Sequence, residues 1–123
     1  MIAMMFVLPV VVSTQPVHSV FWQNITITIP ANHNTWASSA RNSLGSTQAV
    51  LVILPAFNVE SRIILGTNLS PGASTPWRAH TASQRTTRDH VSHTSSGTSI
   101  RAQFRSQVSR TGAFTTAGAW RNG

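Results

Sequence analysis

The clearest pattern in the chain is an alternation of β-branched apolar and polar side chains at the end of residues 20–29. This period of two predicts a β-strand in which Ile25, Ile27 and Ile29 face a core while the intervening polar side chains face water. Pro30 follows directly. Because proline has no N–H to donate to a neighbouring strand, we expect the strand to end there.

Two further apolar runs predict short buried strands, one over residues 49–54 and one over residues 62–65. We expect residues 31–47 to form a loop and residues 55–61 to connect the two later strands as a hairpin. Residues 20–69 would then form a small β-rich segment of three strands. Such a segment is marginally stable alone, because small domains bury little of their surface.

The second half of the chain has a different composition. Two prolines and a glycine lie in residues 70–76, which indicates a linker, and fifteen of the thirty-six residues from 81 to 116 are Ser or Thr. Apolar side chains are sparse there, so burial cannot offset the entropy of ordering the chain. The sequence therefore predicts no single globular fold, with a largely disordered basic tail over residues 70–123.

One segment of this tail has a helical pattern. Ile100, Phe104 and Val108 recur every four residues, which predicts a short amphipathic helix over residues 100–110. Eleven residues form a marginal helix in water. We therefore expect this helix mainly on an anionic surface or partner.

The chain opens with a twelve-residue apolar run, the length of the hydrophobic region of a secretory signal. Val17 and Ser19 permit cleavage after Ser19, which makes residues 1–19 a predicted leader. No Lys or Arg precedes the run, so an uncleaved membrane anchor over roughly residues 1–22 and a plain buried strand stay open as alternatives. The secretory pathway or the membrane is the expected location if this leader functions.

Charge divides the chain at about its midpoint. Residues 1–60 hold only Arg41 and Glu60, whereas residues 61–123 hold eight arginines and Asp89, so the net charge of +7 lies in the second half. Charged residues make up 9% of the chain, against about 25% in ordinary soluble domains. Lys, Tyr and Cys are absent. This composition resembles conceptual translations of dubious open reading frames, in which an overlapping or antisense coding frame dictates the residues.

The inventory of reactive side chains argues against catalysis. Glu60 and Asp89 are the whole carboxylate set, and they fall in different predicted segments, which does not suit paired-carboxylate hydrolysis. Ser92, His90 and Asp89 contain the residue types of a Ser-His-Asp triad, but a disordered segment cannot hold triad geometry. We therefore expect no enzymatic activity and no catalytic residue.

Metal and cofactor sites are not predicted either. The lack of Cys excludes disulfides and thiolate ligands. His80, His90 and His93 include a His-x-x-His pair, but the sequence near them does not complete a ligand set. Because flexible histidines lose entropy when they bind a metal, solvated loop histidines are the expectation.

Two features indicate binding or modification. The sequons at Asn24 and Asn68 are candidate N-glycosylation sites, although their number matches chance. The arginines of the second half are interspersed with aromatic residues, a combination that can neutralise phosphates and stack on bases. Arg101, Arg105 and Arg110 are the predicted contacts to an anionic surface.

The leading expectation is a polypeptide without a definable biochemical function. The first alternative is a small exported cationic glycoprotein that binds anionic surfaces. The second is nonspecific nucleic-acid binding through the basic tail, with an affinity that falls as salt rises. The sequence does not imply a small-molecule substrate or a specific partner.

Overall fold

The computed structural model describes residues 22–65, 74–92 and 96–123. Within these ranges nine β-strands form two antiparallel sheets. In chain order the strands are β1 (Trp22–Ile29), β2 (Thr35–Ala37), β3 (Arg41–Asn42), β4 (Thr47–Ile53), β5 (Val59–Leu65), β6 (Arg78–His80), β7 (Arg85–Val91), β8 (Ser99–Ser106) and β9 (Phe114–Arg121). The predicted leader over residues 1–19 lies outside the described residues, among which no helix long and apolar enough to cross a membrane was found.

Strand pairing follows a nested pattern. Sheet A has the order β1-β9-β4-β7, and sheet B has the order β2-β8-β5-β6, with β3 also pairing with β8. If β2 and β3 are counted as one interrupted strand, the first strand pairs with the last, the second with the second-last, and so on inward. These pairs form one long double-stranded ribbon, and the β9–β4 and β8–β5 pairings join its parts into two sheets. This connectivity is that of a jelly roll.

The strand predicted from the alternation of residues 20–29 is confirmed by β1. Ile27 and Ile29 are fully buried, whereas Asn24 and Thr26 on the opposite face are exposed. β1 lies at the edge of sheet A and pairs with β9 along its whole length. The alternation predicted this strand correctly because one face of β1 packs on the core and the other face contacts solvent.

The apolar runs near residues 49–54 and 62–65 are confirmed as strands β4 and β5, but the hairpin predicted between them is wrong. β4 belongs to sheet A and β5 to sheet B, so residues 54–58 cross from one sheet to the other. The predicted loop over residues 31–47 contains β2 and β3 and the start of β4. Short strands that pair only with the distant β8 leave little periodicity in their own sequence.

The predictions of a largely disordered tail and of a helix over residues 100–110 are wrong. Most of the helical segment is β8, whose inward side chains include Ile100 and Phe104, both fully buried. A spacing of four suits a helical face, but it is also an even number and so suits one face of a strand. Val108 lies beyond β8 and is 61% exposed.

Burial of the tail is achieved by pairing with the first half of the chain. β9 lies between β1 and β4, and β8 pairs with β2, β3 and β5. The boundary predicted near residue 70 falls in the segment 66–73, which lies outside the described residues. Strands from both sides of it share both sheets, so the sparse apolar side chains of the tail join a core that the first half also supplies.

The main hydrophobic core lies between the two sheets. Its buried members are Ile27, Ile29, Val50, Val52, Val59, Ile63, Ile100, Ala102, Phe104 and Trp120. Close approach inside this core requires a glycine in β9, because a Cβ atom at Gly118 would lie 2.5 Å from both the Ile27 Cδ1 atom and the Leu51 carbonyl oxygen.

Candidate functional site

A buried hydrogen-bonded network joins the two sheets between β5, β6 and β7. The Ser61 Oγ atom lies 2.7 Å from His80 Nε2 and 3.0 Å from His90 Nε2. His80 Nδ1 lies 2.7 Å from Thr86 Oγ1, and His90 Nδ1 lies 3.3 Å from Thr75 Oγ1. Ser61 and both imidazoles are almost fully buried. Five side chains that are distant in sequence therefore satisfy one another in the interior.

The network fixes which ring nitrogen carries the proton in each of the two histidines. Ser61 has a single hydroxyl proton, so its oxygen donates to one imidazole while it accepts from the other. When both rings are neutral, one therefore carries its proton on Nε2 and the other on Nδ1.

The pKa values of both histidines are lowered. Burial, with nearby Arg88, lowers the pKa of His80 to about 4. Burial and nearby Arg78 lower the pKa of His90 to about 4, against a smaller opposing effect of Asp89.

A cleft of about 380 Å³ lies beside this network along the seam between β6 and β7. Its lining residues are Thr75, Pro76, Arg78, Asp89, His90 and Val91. A cleft next to histidines with shifted pKa values is an ordinary place to look for catalysis. Here both ring nitrogens of His90 have hydroxyl partners, and Ser61 has no exposed surface. This network is arranged to connect strands rather than to present a nucleophile.

The hypothetical triad does not assemble. Asp89 and His90 are neighbours in β7, so Asp89 points to the outer face of sheet A while His90 points inward. The hydroxyl partners of His90 are Ser61 and Thr75, and Ser92 follows the end of β7. The two carboxylates also lie on opposite outer faces of the sandwich, because Glu60 pairs with Arg105 on sheet B.

The three tail histidines do not come together as a described metal site. Within residues 22–65, 74–92 and 96–123, no group of three His, Asp or Glu side chains is placed to hold a metal ion. His93 lies outside these ranges. His80 and His90, which the sequence placed in a solvated loop, are core residues. Sequence reasoning also missed Ser61, Thr75 and Thr86, since buried hydroxyl residues give no apolar signal.

The outer face of sheet B carries a cluster of cationic and aromatic side chains. Neighbouring strands place Arg62 opposite Gln103 and Glu60 opposite Arg105, and Trp77 precedes β6 on the same side. We call Arg62, Arg101, Arg105, Gln103 and Trp77 the arginine–indole face. Two of the three predicted anionic-surface contacts, Arg101 and Arg105, therefore lie on one face, on a strand instead of a helix.

Two guanidinium groups share the indole of Trp77. The Cζ atoms of Arg62 and Arg105 lie 4.3 and 4.2 Å from its ring centroid, which are cation–π distances. Arg62 Nε donates to Gln103 Oε1 at 2.6 Å, and Arg105 Nε donates to Glu60 Oε1 at 2.8 Å. Each arginine is thus held by a hydrogen bond from Nε and by the contact of its guanidinium plane with the indole. The Nη groups carry the other four N–H donors of each guanidinium.

Comparison with known proteins adds nothing to this geometry. No protein-family model, curated protein or solved structure matches the chain.

The remaining predicted site residues lie apart from this face. Arg110 is in the β8–β9 loop, where its guanidinium lies over the ring of Phe57. Asn24 is exposed on the outer face of sheet A, and Asn68 lies outside the described residues. Arg101 itself belongs to the arginine–indole face, and it donates from Nη1 to the Ser38 carbonyl at 3.3 Å.

Proposed function

We propose that this protein binds single-stranded nucleic acid, without enzymatic activity, through the arginine–indole face. The observation that carries the proposal is the pair of guanidinium groups held over Trp77. Phosphate neutralisation by arginine and stacking of bases on aromatic or guanidinium planes are the two contacts that sequence-independent binding of single strands requires. Arginine and aromatic side chains are both present here on one face of a sheet.

The electrostatics of this face favour an anion. Partial burial and the nearby positive charge of Arg105 lower the pKa of Arg62 from its usual value. Two like charges held close together repel each other, and a phosphate between them would relieve that repulsion. Glu60 offsets one charge through its ion pair with Arg105, so the three arginines outweigh the single carboxylate.

The shape of the face favours a nucleic acid over a membrane. Membrane contact by a cationic surface usually adds exposed apolar side chains that enter the lipid. In the described parts of the chain, the large exposed apolar side chains are Trp22, Leu54, Phe57, Val91 and Val108, and none belongs to the arginine–indole face. Trp77 is partly covered by its two arginines, whose own planes can continue a stack toward a base.

The test measures fluorescence anisotropy of a labelled single-stranded oligonucleotide with the full chain over a range of salt concentrations. We expect tight binding at low salt. Replacing Arg62→Gln and Arg105→Gln together should remove two phosphate contacts, which lowers the slope of log affinity against log salt by about 1.4. Trp77→Ala should weaken binding at least about fivefold, because stacking on an aromatic contributes about 1–3 kcal/mol per base.

The matched control is the double variant Arg85→Gln and Arg121→Gln, which removes the same net charge from the outer face of sheet A. Equal losses in the two double variants would show that net charge alone drives binding and would overturn the proposed site. Binding to phosphatidylserine vesicles with no binding to the oligonucleotide would also overturn it, in favour of the anionic-membrane alternative.

A further inference from the structure

A groove of about 360 Å³ crosses the outer face of sheet A, on the opposite side of the molecule from the arginine–indole face. Its lining residues are Trp22, Asn24, Leu51, Arg85, Thr87 and Ala119. Four of these form a straight row across the sheet, because Asn24 pairs with Ala119, Ala119 with Leu51, and Leu51 with Thr87. We call this feature the sheet A groove.

The strand order gives the groove an apolar floor and polar rims. The central strands β9 and β4 supply Ala119 and Leu51 to the floor, while the edge strands supply Trp22 and Asn24 on one rim and Thr87 and Arg85 on the other. Three strand spacings separate the rims, which amounts to about 14 Å. The groove volume falls at the lower end of the roughly 300–1,000 Å³ range of small-molecule sites.

Aromatic and hydrogen-bonding groups converge on this groove. Trp22 is 40% exposed, and the Arg121 guanidinium lies 5.5 Å from its ring centroid on the next row of the sheet. Asn24 and Thr87 can each donate and accept hydrogen bonds from opposite rims, while Arg85 supplies donors. The groove therefore presents flat apolar surface at its floor and one rim, and hydrogen-bonding groups at both rims.

Such an arrangement complements a sugar. A hexopyranose ring carries C–H groups on its faces, which stack on an indole, and hydroxyl groups around its edge, which need donors and acceptors. Asp89 lies on the same outer face as Arg85 and Arg121 and offsets one of their two charges, so this face is less positive than the arginine–indole face. A neutral polyhydroxylated ligand fits this lower charge, whereas the arginine–indole face suits a polyanion.

We infer that the sheet A groove binds a neutral oligosaccharide, with one hexose ring on Trp22 and hydroxyl groups bonded to Asn24, Thr87 and Arg85. This site is separate from the proposed nucleic-acid face and does not depend on it. The two surfaces lie on different sheets and share no residue, so each can be altered without touching the other.

Isothermal titration of the folded full chain with maltotetraose, cellotetraose and chitotetraose tests the inference. We expect saturable binding of at least one of these. Trp22→Ala should weaken that binding at least tenfold because the stacking surface is lost, and Thr87→Val should weaken it several-fold because it removes a hydroxyl while keeping the shape. Trp22 and Thr87 are both exposed and lie in the two edge strands of sheet A, so circular dichroism should show both variants folded.

Trp77→Ala is the matched control, because it removes an indole from the opposite sheet and should leave saccharide affinity unchanged. The inference is wrong if none of the three oligosaccharides binds at concentrations up to about 10 mM. It is equally wrong if binding persists in Trp22→Ala and Thr87→Val at the affinity of the unaltered chain.

Discussion

The two sides of the sandwich interior are built from different chemistry. Where β1, β8 and β9 meet, the interior is apolar, with Ile27, Ile29 and Trp120 fully buried. Where β5, β6 and β7 meet, it holds Ser61 and two histidines joined by hydrogen bonds. Both sides exclude water, but the apolar side is stabilised by burial that ignores pH, whereas the polar side requires neutral imidazoles. Two equally buried parts of one interior can therefore differ in how strongly their stability depends on pH.

Truncation of a buried side chain on the apolar side should lower the stability of the fold more than any other change considered. Ile27→Ala removes a fully buried side chain next to Gly118 and should lower the free energy of unfolding by about 2–5 kcal/mol. Urea denaturation at pH 7 and at pH 5 should give the same loss at both values. Thr28→Ala on the exposed face of the same strand is the control, with a change within about 0.5 kcal/mol. If the loss of unfolding free energy in Ile27→Ala varied with pH, the apolar side would not be independent of pH as described.

Acid should selectively weaken the polar side. The pKa values of His80 and His90 are about 4 in the folded chain, against about 6.5 for an unfolded histidine. Between these values the unfolded chain binds more protons, so stability falls as pH decreases from about 6.5 toward 4 and is constant above that window. The expected loss between pH 7 and pH 5 is roughly 2 kcal/mol for each histidine.

Urea denaturation over this pH range measures the acid effect, and His33→Asn is its control. His33 is a partly exposed residue in the β1–β2 turn with φ of 62°, a conformation that asparagine also adopts. The variant should keep the full acid loss. Unfolding free energies that stay flat from pH 7 to pH 5 in the unaltered chain would contradict the neutral buried pair.

Removal of the shared hydroxyl should have a smaller effect. Ser61→Ala leaves the Nε2 atoms of both histidines without their buried partner, which should cost about 1–3 kcal/mol at pH 7. Thermal and urea unfolding measure the change. Ser99→Ala, at an exposed position of β8, is the control and should be nearly neutral. Identical effects of the two serine substitutions would mean that the network contributes nothing to stability.

The smallest change in stability is expected at a surface residue, Leu54, which belongs to neither side of the interior. Leu54 follows β4 with φ of 46° and is 64% exposed, so it occupies a left-handed conformation without compensating burial. Leu54→Gly should relieve that conformation, and the greater freedom of glycine in the unfolded chain should offset part of the gain. We expect a gain of at most about 1 kcal/mol in urea denaturation. A loss of stability would show that the Leu54 side chain makes a contribution that its exposure conceals.

Much of the candidate chemistry could not be read from neighbouring residues. In β7, polar side chains occupy both the inward and the outward positions, so period two gave no sign that His90 is buried. Arg62, Trp77 and Arg105 come from three separate segments. Their contact depends on the register of β5 with β8 and with β6. The predicted lack of a definable biochemical function stays a prediction, as does the predicted export through residues 1–19.

Strands β1, β4 and β5 could be predicted from local sequence, because alternation or a continuous apolar run marks strands that contribute heavily to the core. The net charge and the small set of reactive side chains also follow from the sequence. The remaining strands and the contacts between distant side chains depend on the tertiary fold. A spacing of four could not distinguish helix from strand in β8, and long-range pairing, which no local window contains, gave the Ser- and Thr-rich tail its order. The same pairing brought two distant histidines to one hydroxyl and two distant arginines to one indole.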